Sequence, residues 1–99
     1  MSIFYPLKKV NNQKTVPVAA TPTLVLPANP QRKYALLVNQ SAADFWIKFD
    51  ANPAVCDGVF IAKKGFAYEI DNNNLWVGAV YAISDGSPGV NLMSVLELS

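Results

Sequence analysis

The sequence predicts an all-β fold: a single antiparallel β-sandwich, jelly-roll-like, of about seven or eight strands with an extended N-terminal arm. Short apolar or alternating segments recur about every ten residues, separated by turn residues, a spacing typical of sandwiches and barrels. No segment carries apolar residues at the roughly 3.6-residue period of an amphipathic helix. The chain has 99 residues, which suits one domain with one modest core.

Residues 1–20 are predicted to form the extended arm, and residues 21–99 the β-sandwich domain. Of the seven prolines, five lie in the first thirty residues. Proline cannot donate a hydrogen bond to a sheet, and it biases the preceding residue towards extended geometry. A short edge strand is expected around residues 15–19. The large aromatic residues Phe4 and Tyr5 either fold back onto the domain's own core or anchor the arm in a partner's pocket.

Seven further strands are expected, each ended by turn residues such as Asn, Asp, Gly and Pro. Their expected ranges are Thr23–Leu26, 33–40, 44–50, 59–62, 66–70, 75–83 and 90–98. The segment 44–50 alternates cleanly, so Phe45, Ile47 and Phe49 are expected to share one face. Trp46 and Lys48 are then expected on the opposite face.

Two of these segments, 33–40 and 75–83, are apolar on both faces, which is typical of central strands. Gly78 lies in the second segment and marks a point where another backbone or a bulky ring approaches closely. In 66–70, Phe66, Tyr68 and Ile70 alternate with smaller or charged residues. The last strand carries four apolar residues on one face: Val90, Leu92, Leu96 and Leu98.

The composition predicts a nearly neutral surface with apolar area to spare. Hydrophobic residues make up 52% of the chain and charged residues 15%, against a usual charged share of about 25%. In a small domain, apolar area beyond the needs of one core is commonly used in an interface. We therefore expect this protein to assemble with other protein surfaces.

The charge distribution separates the two halves of the chain. Residues 1–43 contain five cations and no acid, whereas residues 44–99 contain three cations and seven acids. Either the basic arm packs against a neighbouring subunit's acidic body, or its lysines lie on a solvated tail. The overall net charge of +1 argues against a nucleic-acid partner bound by phosphate neutralisation.

The residue types needed for catalysis are scarce, and we predict that the protein is not an enzyme and has no metal or other cofactor. Histidine, the commonest general base and a frequent zinc ligand, is absent from the chain. Cys56 is the sole cysteine, so no intrachain disulfide can form. No run approaches the roughly 20 apolar residues of a membrane span, and the N-terminus lacks a signal peptide's apolar stretch. We expect synthesis in a cytoplasm and no membrane partner.

Three aromatic residues, Trp46, Phe60 and Trp76, are predicted to lie on strand faces opposite the main apolar stripes. Such side chains can stack on sugars or on bases. Bases are disfavoured because only Lys48 lies close by, whereas a neutral, Asn-rich surface is compatible with sugars. The alternative, which we favour, is that the arm or a neighbouring subunit covers this aromatic face.

Four segments together form a recognisable pattern: VLPANPQRKYALLVNQSAADFWIKFD, GFAYEID, LWVGAVYAISDG and VNLMSVLEL. The first contains a proline- and asparagine-bearing turn, a strand that begins near Arg32, a small-residue turn and an aromatic strand. Through these segments the chain resembles, from Leu24 to its end, small virion proteins encoded by tailed bacteriophages. The arm at residues 1–20 is not part of this pattern.

The resemblance implies a capsid decoration (cement) protein, a head fibre or a tail component, with a β-sandwich fold and commonly a trimer. We expect a virion protein that stabilises the shell through contacts with the major capsid protein or a tail protein. The alternative is a tail-associated carbohydrate-binding or host-recognition module. The candidate partner-binding residues are Phe4, Tyr5, Lys8, Lys9, Lys14, Trp46, Phe60 and Trp76.

Overall fold

The computed structural model describes residues 10–86 and 91–99, and over these ranges the chain forms eight strands and no helix. The strands are β1 (Val10–Pro17), β2 (Thr23–Leu26), β3 (Tyr34–Asn39), β4 (Phe45–Phe49), β5 (Val59–Ile61), β6 (Ala67–Ile70), β7 (Val80–Ser84) and β8 (Leu92–Leu98). They form two four-stranded sheets. Sheet A has the order β1-β8-β3-β6 and sheet B the order β2-β7-β4-β5. Every neighbouring pair is antiparallel, which confirms the predicted all-β antiparallel fold.

One hydrophobic core lies between the two sheets, giving the molecule a β-sandwich-like arrangement. Alternate residues of each strand point inward, so sheet B contributes Phe45 and Ile47 and sheet A contributes Leu37, all fully buried. The predicted apolar face of β4 is therefore confirmed. Its last member, Phe49, is only partly buried and packs at the edge of the core against Tyr68.

β1 is longer than the edge strand expected around residues 15–19. It pairs with β8 from Val10 to Pro17, and Val18 directly after it is buried in the core. Residues 10–18 therefore belong to the folded domain. The polar β1 sequence is accepted because it lies at a sheet edge, where β8 supplies its backbone partners and solvent surrounds most of its side chains.

The last strand turns a different face inward from the one its leucines suggest. Met93, Val95 and Glu97 are buried, whereas Leu92, Leu96 and Leu98 share the outer face and are half-buried. The prediction that these leucines share one face is confirmed, but that face is not the one in the core. Val90, the fourth residue of the predicted set, lies outside the described residues. The inward position of Glu97 is possible because Arg32, also fully buried, is its ion-pair partner.

The β7 strand is shorter than the apolar segment 75–83 suggests, because residues 75–79 form a loop. A Cβ on Gly78 in this loop would lie 2.7 Å from the Trp76 ring and 2.8 Å from the Asp50 carboxylate. The predicted close approach of a bulky ring to Gly78 is therefore confirmed. The strand is shorter because the carbonyl oxygens of Trp76 and Gly78 accept from the Arg32 guanidinium, and that of Val77 from the backbone nitrogen of Asn29, in place of a neighbouring strand.

Gly58, just before β5, gives a first testable prediction. It has a φ of +135°, and an added Cβ would lie 2.5 Å from the backbone oxygen of Ile47. We expect Gly58→Ala to lower the free energy of unfolding by at least about 2 kcal/mol, because backbone strain and a backbone clash add together. Urea unfolding monitored by circular dichroism measures the change.

The matched control for Gly58→Ala is Gly65→Ala. Gly65 also has a positive φ, +103°, but nothing lies within 4 Å of the Cβ position. This control carries the conformational cost alone, so we expect a loss of about 1 kcal/mol. Equal losses for the two variants would contradict the clash with the Ile47 oxygen.

Candidate functional site on the outer face of sheet B

The outer face of sheet B gathers apolar and aromatic side chains from all four of its strands. We call this set the sheet-B face; it comprises Leu24, Trp46, Lys48, Phe60, Tyr81 and Ile83. Directly opposed residues in an antiparallel pair share a face. Trp46 is opposite both Phe60 and Ile83, and Tyr81 is opposite both Lys48 and Leu24, so the strand register makes the six residues neighbours.

The rim of the sheet-B face is strongly exposed to solvent. Phe60 is 54% exposed and Leu24 is 47% exposed, while Trp46 and Tyr81 between them are half-buried. The Trp46 and Phe60 rings are tilted at 49° to each other, with centroids 5.5 Å apart. Such a pair contributes about 0.5–1.5 kcal/mol beyond area burial. The ring pair is thus an ordered, partly exposed aromatic surface.

Lys48, the one charged member of the sheet-B face, is paired at the surface. Its Nζ donates to Oδ2 of Asp57 at 2.8 Å. The face therefore presents apolar area with its only cation balanced by an acid. That balance favours contact with an apolar surface over contact with a polyanion.

The predicted placement of Trp76 on a strand face is wrong, because this residue lies in the β6–β7 loop. Its Nε1 donates to the backbone oxygen of Ala79 at 3.1 Å, and its ring packs edge-on against Phe49 with centroids 5.7 Å apart. Trp76 is thus partly buried against the core. It does not join Trp46 and Phe60.

The arm candidates are separate from the sheet-B face. Lys14 is an exposed residue of β1, at the edge of sheet A. Phe4, Tyr5, Lys8 and Lys9 lie outside the described residues. The structure therefore brings Trp46 and Phe60 together, as the alternation indicated. Leu24 and Tyr81 were missed, because their place beside the aromatic pair depends on the strand register.

A buried polar cluster at one end of the molecule was also missed by sequence reasoning. The Nε of Arg32 donates to Glu97 at 2.5 Å, and Glu97 also accepts from the side-chain amides of Asn12 at 3.4 Å and Asn29 at 3.3 Å. The Arg32 Nη atoms donate to the backbone oxygens of Pro27, Trp76 and Gly78 at 2.6, 2.9 and 2.9 Å. This cluster ties two loops to β1 and β8. The sequence shows that Glu97 shares a strand face with Met93 and Val95, and the structure shows that this face points inward.

A second polar contact lies on the outer face of sheet A. The hydroxyl of Tyr34 donates to Oε2 of Glu69 at 2.5 Å. This hydrogen bond, together with burial and the negative charges of Glu69 and Asp71, raises the pKa of Tyr34 above its usual value. The Tyr34 hydroxyl therefore remains a donor across the physiological pH range.

The surface formed by residues 10–86 and 91–99 has no pocket, and no group of three or more His, Cys, Asp or Glu within it could hold a metal ion. Cys56 is exposed with a free thiol. In the same part of the chain, no helix has the length and apolar character needed to cross a membrane. The comparisons with known proteins give no match to any family model, curated protein or solved structure.

Proposed function

We propose that this chain is a structural protein of a phage virion, a capsid decoration or cement protein that binds the shell through the sheet-B face. The observation that carries the proposal is the apolar surface of this face, which runs from exposed Leu24 on one edge strand, across half-buried Tyr81 and Trp46, to exposed Phe60 on the other edge strand. Contiguous exposed apolar area on a small domain is typical of a protein-binding site. The virion assignment rests on the resemblance of the segment from Leu24 onward to small phage virion proteins.

The strand pairing supports a jelly-roll topology. Four of the observed pairs, β1·β8, β2·β7, β3·β6 and β4·β5, are those of one long hairpin folded at the β4–β5 connection. Two further pairs, β3·β8 and β4·β7, arise when that hairpin winds around itself and divides into two sheets. Viral capsid and lectin domains use this topology.

The chemistry of the sheet-B face suits attachment to a protein shell. Aromatic side chains are enriched among the residues that dominate binding energy at interfaces, and Trp46 and Phe60 form such a pair. Many copies bound to a symmetric shell each need only a modest affinity to hold the shell together. If copies are also linked to one another, attachment becomes stronger without any new contact to the shell.

The test of this face is Phe60→Glu, assayed by binding of the purified protein to shells that lack it. We expect at least a tenfold loss of affinity, because the substitution places a charge within an apolar contact and removes the ring that pairs with Trp46. The fold should persist, since Phe60 is an exposed side chain in the free protein. The matched control is Phe66→Glu, at a residue that is 65% exposed and outside the sheet-B face. Wild-type binding by Phe60→Glu, or equal losses in both variants, would argue against this surface.

The virion assignment is tested by the copy number of the protein in purified particles, measured by quantitative mass spectrometry against the major shell protein. Copies comparable to the shell protein support a decoration role. A small number, matching tail components, would move the protein to the tail. Absence from particles would refute the virion assignment.

A carbohydrate-binding or host-recognition role is the second candidate, favoured by the partly exposed Trp46–Phe60 ring pair on a face with balanced charge. Aromatic faces of this kind stack on sugar rings. Titration with host-surface glycans, followed by tryptophan fluorescence, tests this role. A response that Phe60→Ala abolishes, with both tryptophans still in place, would support it, and a wild-type spectrum unchanged by glycans would count against it.

A further inference from the structure

The middle of the outer face of sheet A, on β3 and β8, is largely aliphatic, although such a face usually carries polar side chains towards water. We call its central residues the sheet-A face: Leu36, Val38, Leu92, Leu96 and Leu98, all half-buried. The strand register makes these residues neighbours. Leu36 on β3 lies opposite Leu96 on β8, and Val38 lies opposite Ser94, which is the next residue on the same face of β8. An acid borders this face, since Glu69 lies opposite Leu36 on the edge strand β6.

The chain enters sheet A beside this face. Val10, the first residue of β1, lies opposite Leu98, the last residue of β8. Residues 1–9 therefore join the domain at the end of sheet A. They contain the apolar residues Ile3, Phe4, Tyr5 and Leu7, together with two lysines and no acid. This composition complements an aliphatic surface bordered by a carboxylate.

We propose that residues 1–9 of one copy of this chain bind the sheet-A face of a second copy. Nine residues span at most about 30 Å, whereas a four-stranded sheet is about 14 Å across its strands, so the segment is long enough to cross the face. A second copy is favoured over the same chain because β1 runs towards the end of its own sheet. Returning onto that sheet would need a reversal directly before β1, where Leu7, Lys8 and Lys9 include none of the Gly, Pro, Asn, Asp or Ser residues that turns prefer.

This inference deepens the proposed function, because linked copies would attach to a shell more strongly than single ones. Its test needs only the purified full chain, whereas the proposed function is tested on particles, so the two can fail separately. Analytical ultracentrifugation should show concentration-dependent self-association of the full chain. We expect deletion of residues 2–9, and Leu96→Glu, each to weaken that association at least tenfold. The matched control Val55→Glu, at a residue that is 49% exposed in the β4–β5 loop and outside both faces, should leave it unchanged.

Disulfide trapping keeps the test informative if Leu96→Glu fails to fold. In a Cys56→Ser background, one chain carries Phe4→Cys and another carries Ser94→Cys, which lies in the middle of the sheet-A face. Oxidation of the mixture should give a covalent dimer of the two variants. A monomeric full chain, unchanged association after the deletion, or exclusive intrachain closure in a chain carrying both substitutions would each overturn the proposal.

Discussion

Replacing Arg32 with methionine is expected to lower the free energy of unfolding by about 3–5 kcal/mol, the usual cost of removing one partner from a buried ion pair. Both Arg32 and Glu97 have fully buried side chains. Without the guanidinium, Glu97 still accepts from the neutral amides of Asn12 and Asn29, but its charge loses the Arg32 counterion. The penalty is therefore mainly that of an uncompensated buried carboxylate.

Arg32→Met also removes the donors that three backbone carbonyls use. The oxygens of Pro27, Trp76 and Gly78 each accept a hydrogen bond from the guanidinium. The β6–β7 loop should consequently loosen, and Trp76 within it reports this as an altered fluorescence spectrum. Urea unfolding gives the free energy, and the fluorescence of the folded variant gives the local effect.

The neighbouring residue Lys33 provides the matched control for Arg32→Met. Lys33 is exposed, so Lys33→Met removes the same charge and should change stability by no more than about 0.5 kcal/mol. The double variant Arg32→Met with Glu97→Leu should recover part of the loss, because no unpaired charge then stays in the core. Equal stabilities of Arg32→Met and Lys33→Met would show that the buried pair does not hold this end of the molecule together.

Asn39→Asp is the second substitution with a large expected effect, about 3–5 kcal/mol at neutral pH. Asn39 is fully buried at the end of β3. Its Nδ2 donates to the backbone oxygens of Ala43 at 2.8 Å and Ile61 at 3.0 Å. Its Oδ1 accepts from the backbone nitrogen and the hydroxyl of Ser41, at 3.0 and 2.7 Å. In Asn39→Asp the carboxylate keeps the accepting oxygen, but a second oxygen replaces the donating Nδ2 and faces the carbonyl oxygens of Ala43 and Ile61.

The loss caused by Asn39→Asp should depend on pH. Burial beside two carbonyl oxygens favours the neutral form of the new carboxyl group, so its folded-state pKa rises above the unfolded value of about 3.9. Protonation therefore stabilises the folded variant. Its stability relative to wild type should be greatest below the unfolded pKa and should fall as the pH rises through the folded pKa.

Thermal unfolding of wild type and Asn39→Asp at about pH 4 and about pH 7 measures this dependence, because the lower value lies near the unfolded-state pKa of about 3.9 and the upper value lies well above it. The matched control is Asn72→Asp, which makes the same chemical change at an exposed position in the β6–β7 loop. It should alter stability by no more than about 0.5 kcal/mol at either pH. A loss in Asn39→Asp that does not change with pH would contradict a buried carboxylate as its cause.

Several elements followed from short stretches of sequence. β2 was expected at Thr23–Leu26 and lies there, and the expected β4 and β5 extend beyond the observed strands by only one residue at their ends. Each of these strands is an apolar or alternating segment with turn residues at its two ends. The alternation and the turn residues can both be recognised from a few adjacent residues of the sequence. The same alternation placed Trp46 and Phe60 on the strand faces opposite the core residues, and the structure confirms that they share one face.

Other features required residues far apart in sequence. β1 is rich in polar residues and acquires its structure from pairing with β8, as the hydrogen bond between Asn12 and Glu97 across 85 positions illustrates. Trp76 was expected on a strand, but Arg32 holds its loop in place from 44 positions away. Neither the Asn12–Glu97 nor the Arg32–Trp76 interaction can be predicted from the residues adjacent to either partner, because each partner alone is an ordinary polar or aromatic residue.

Local sequence thus decided which segments are strands, where most turns fall and which residues share a face, since alternation is a property of neighbouring residues. Tertiary structure decided which face of each strand points inward and which strands are neighbours. In β8 the leucine-rich face lies outside, because the opposite face carries Glu97 to its buried partner Arg32. The positions of Leu24 and Tyr81 beside Trp46 and Phe60 likewise depend on strand register, which is set by long-range packing.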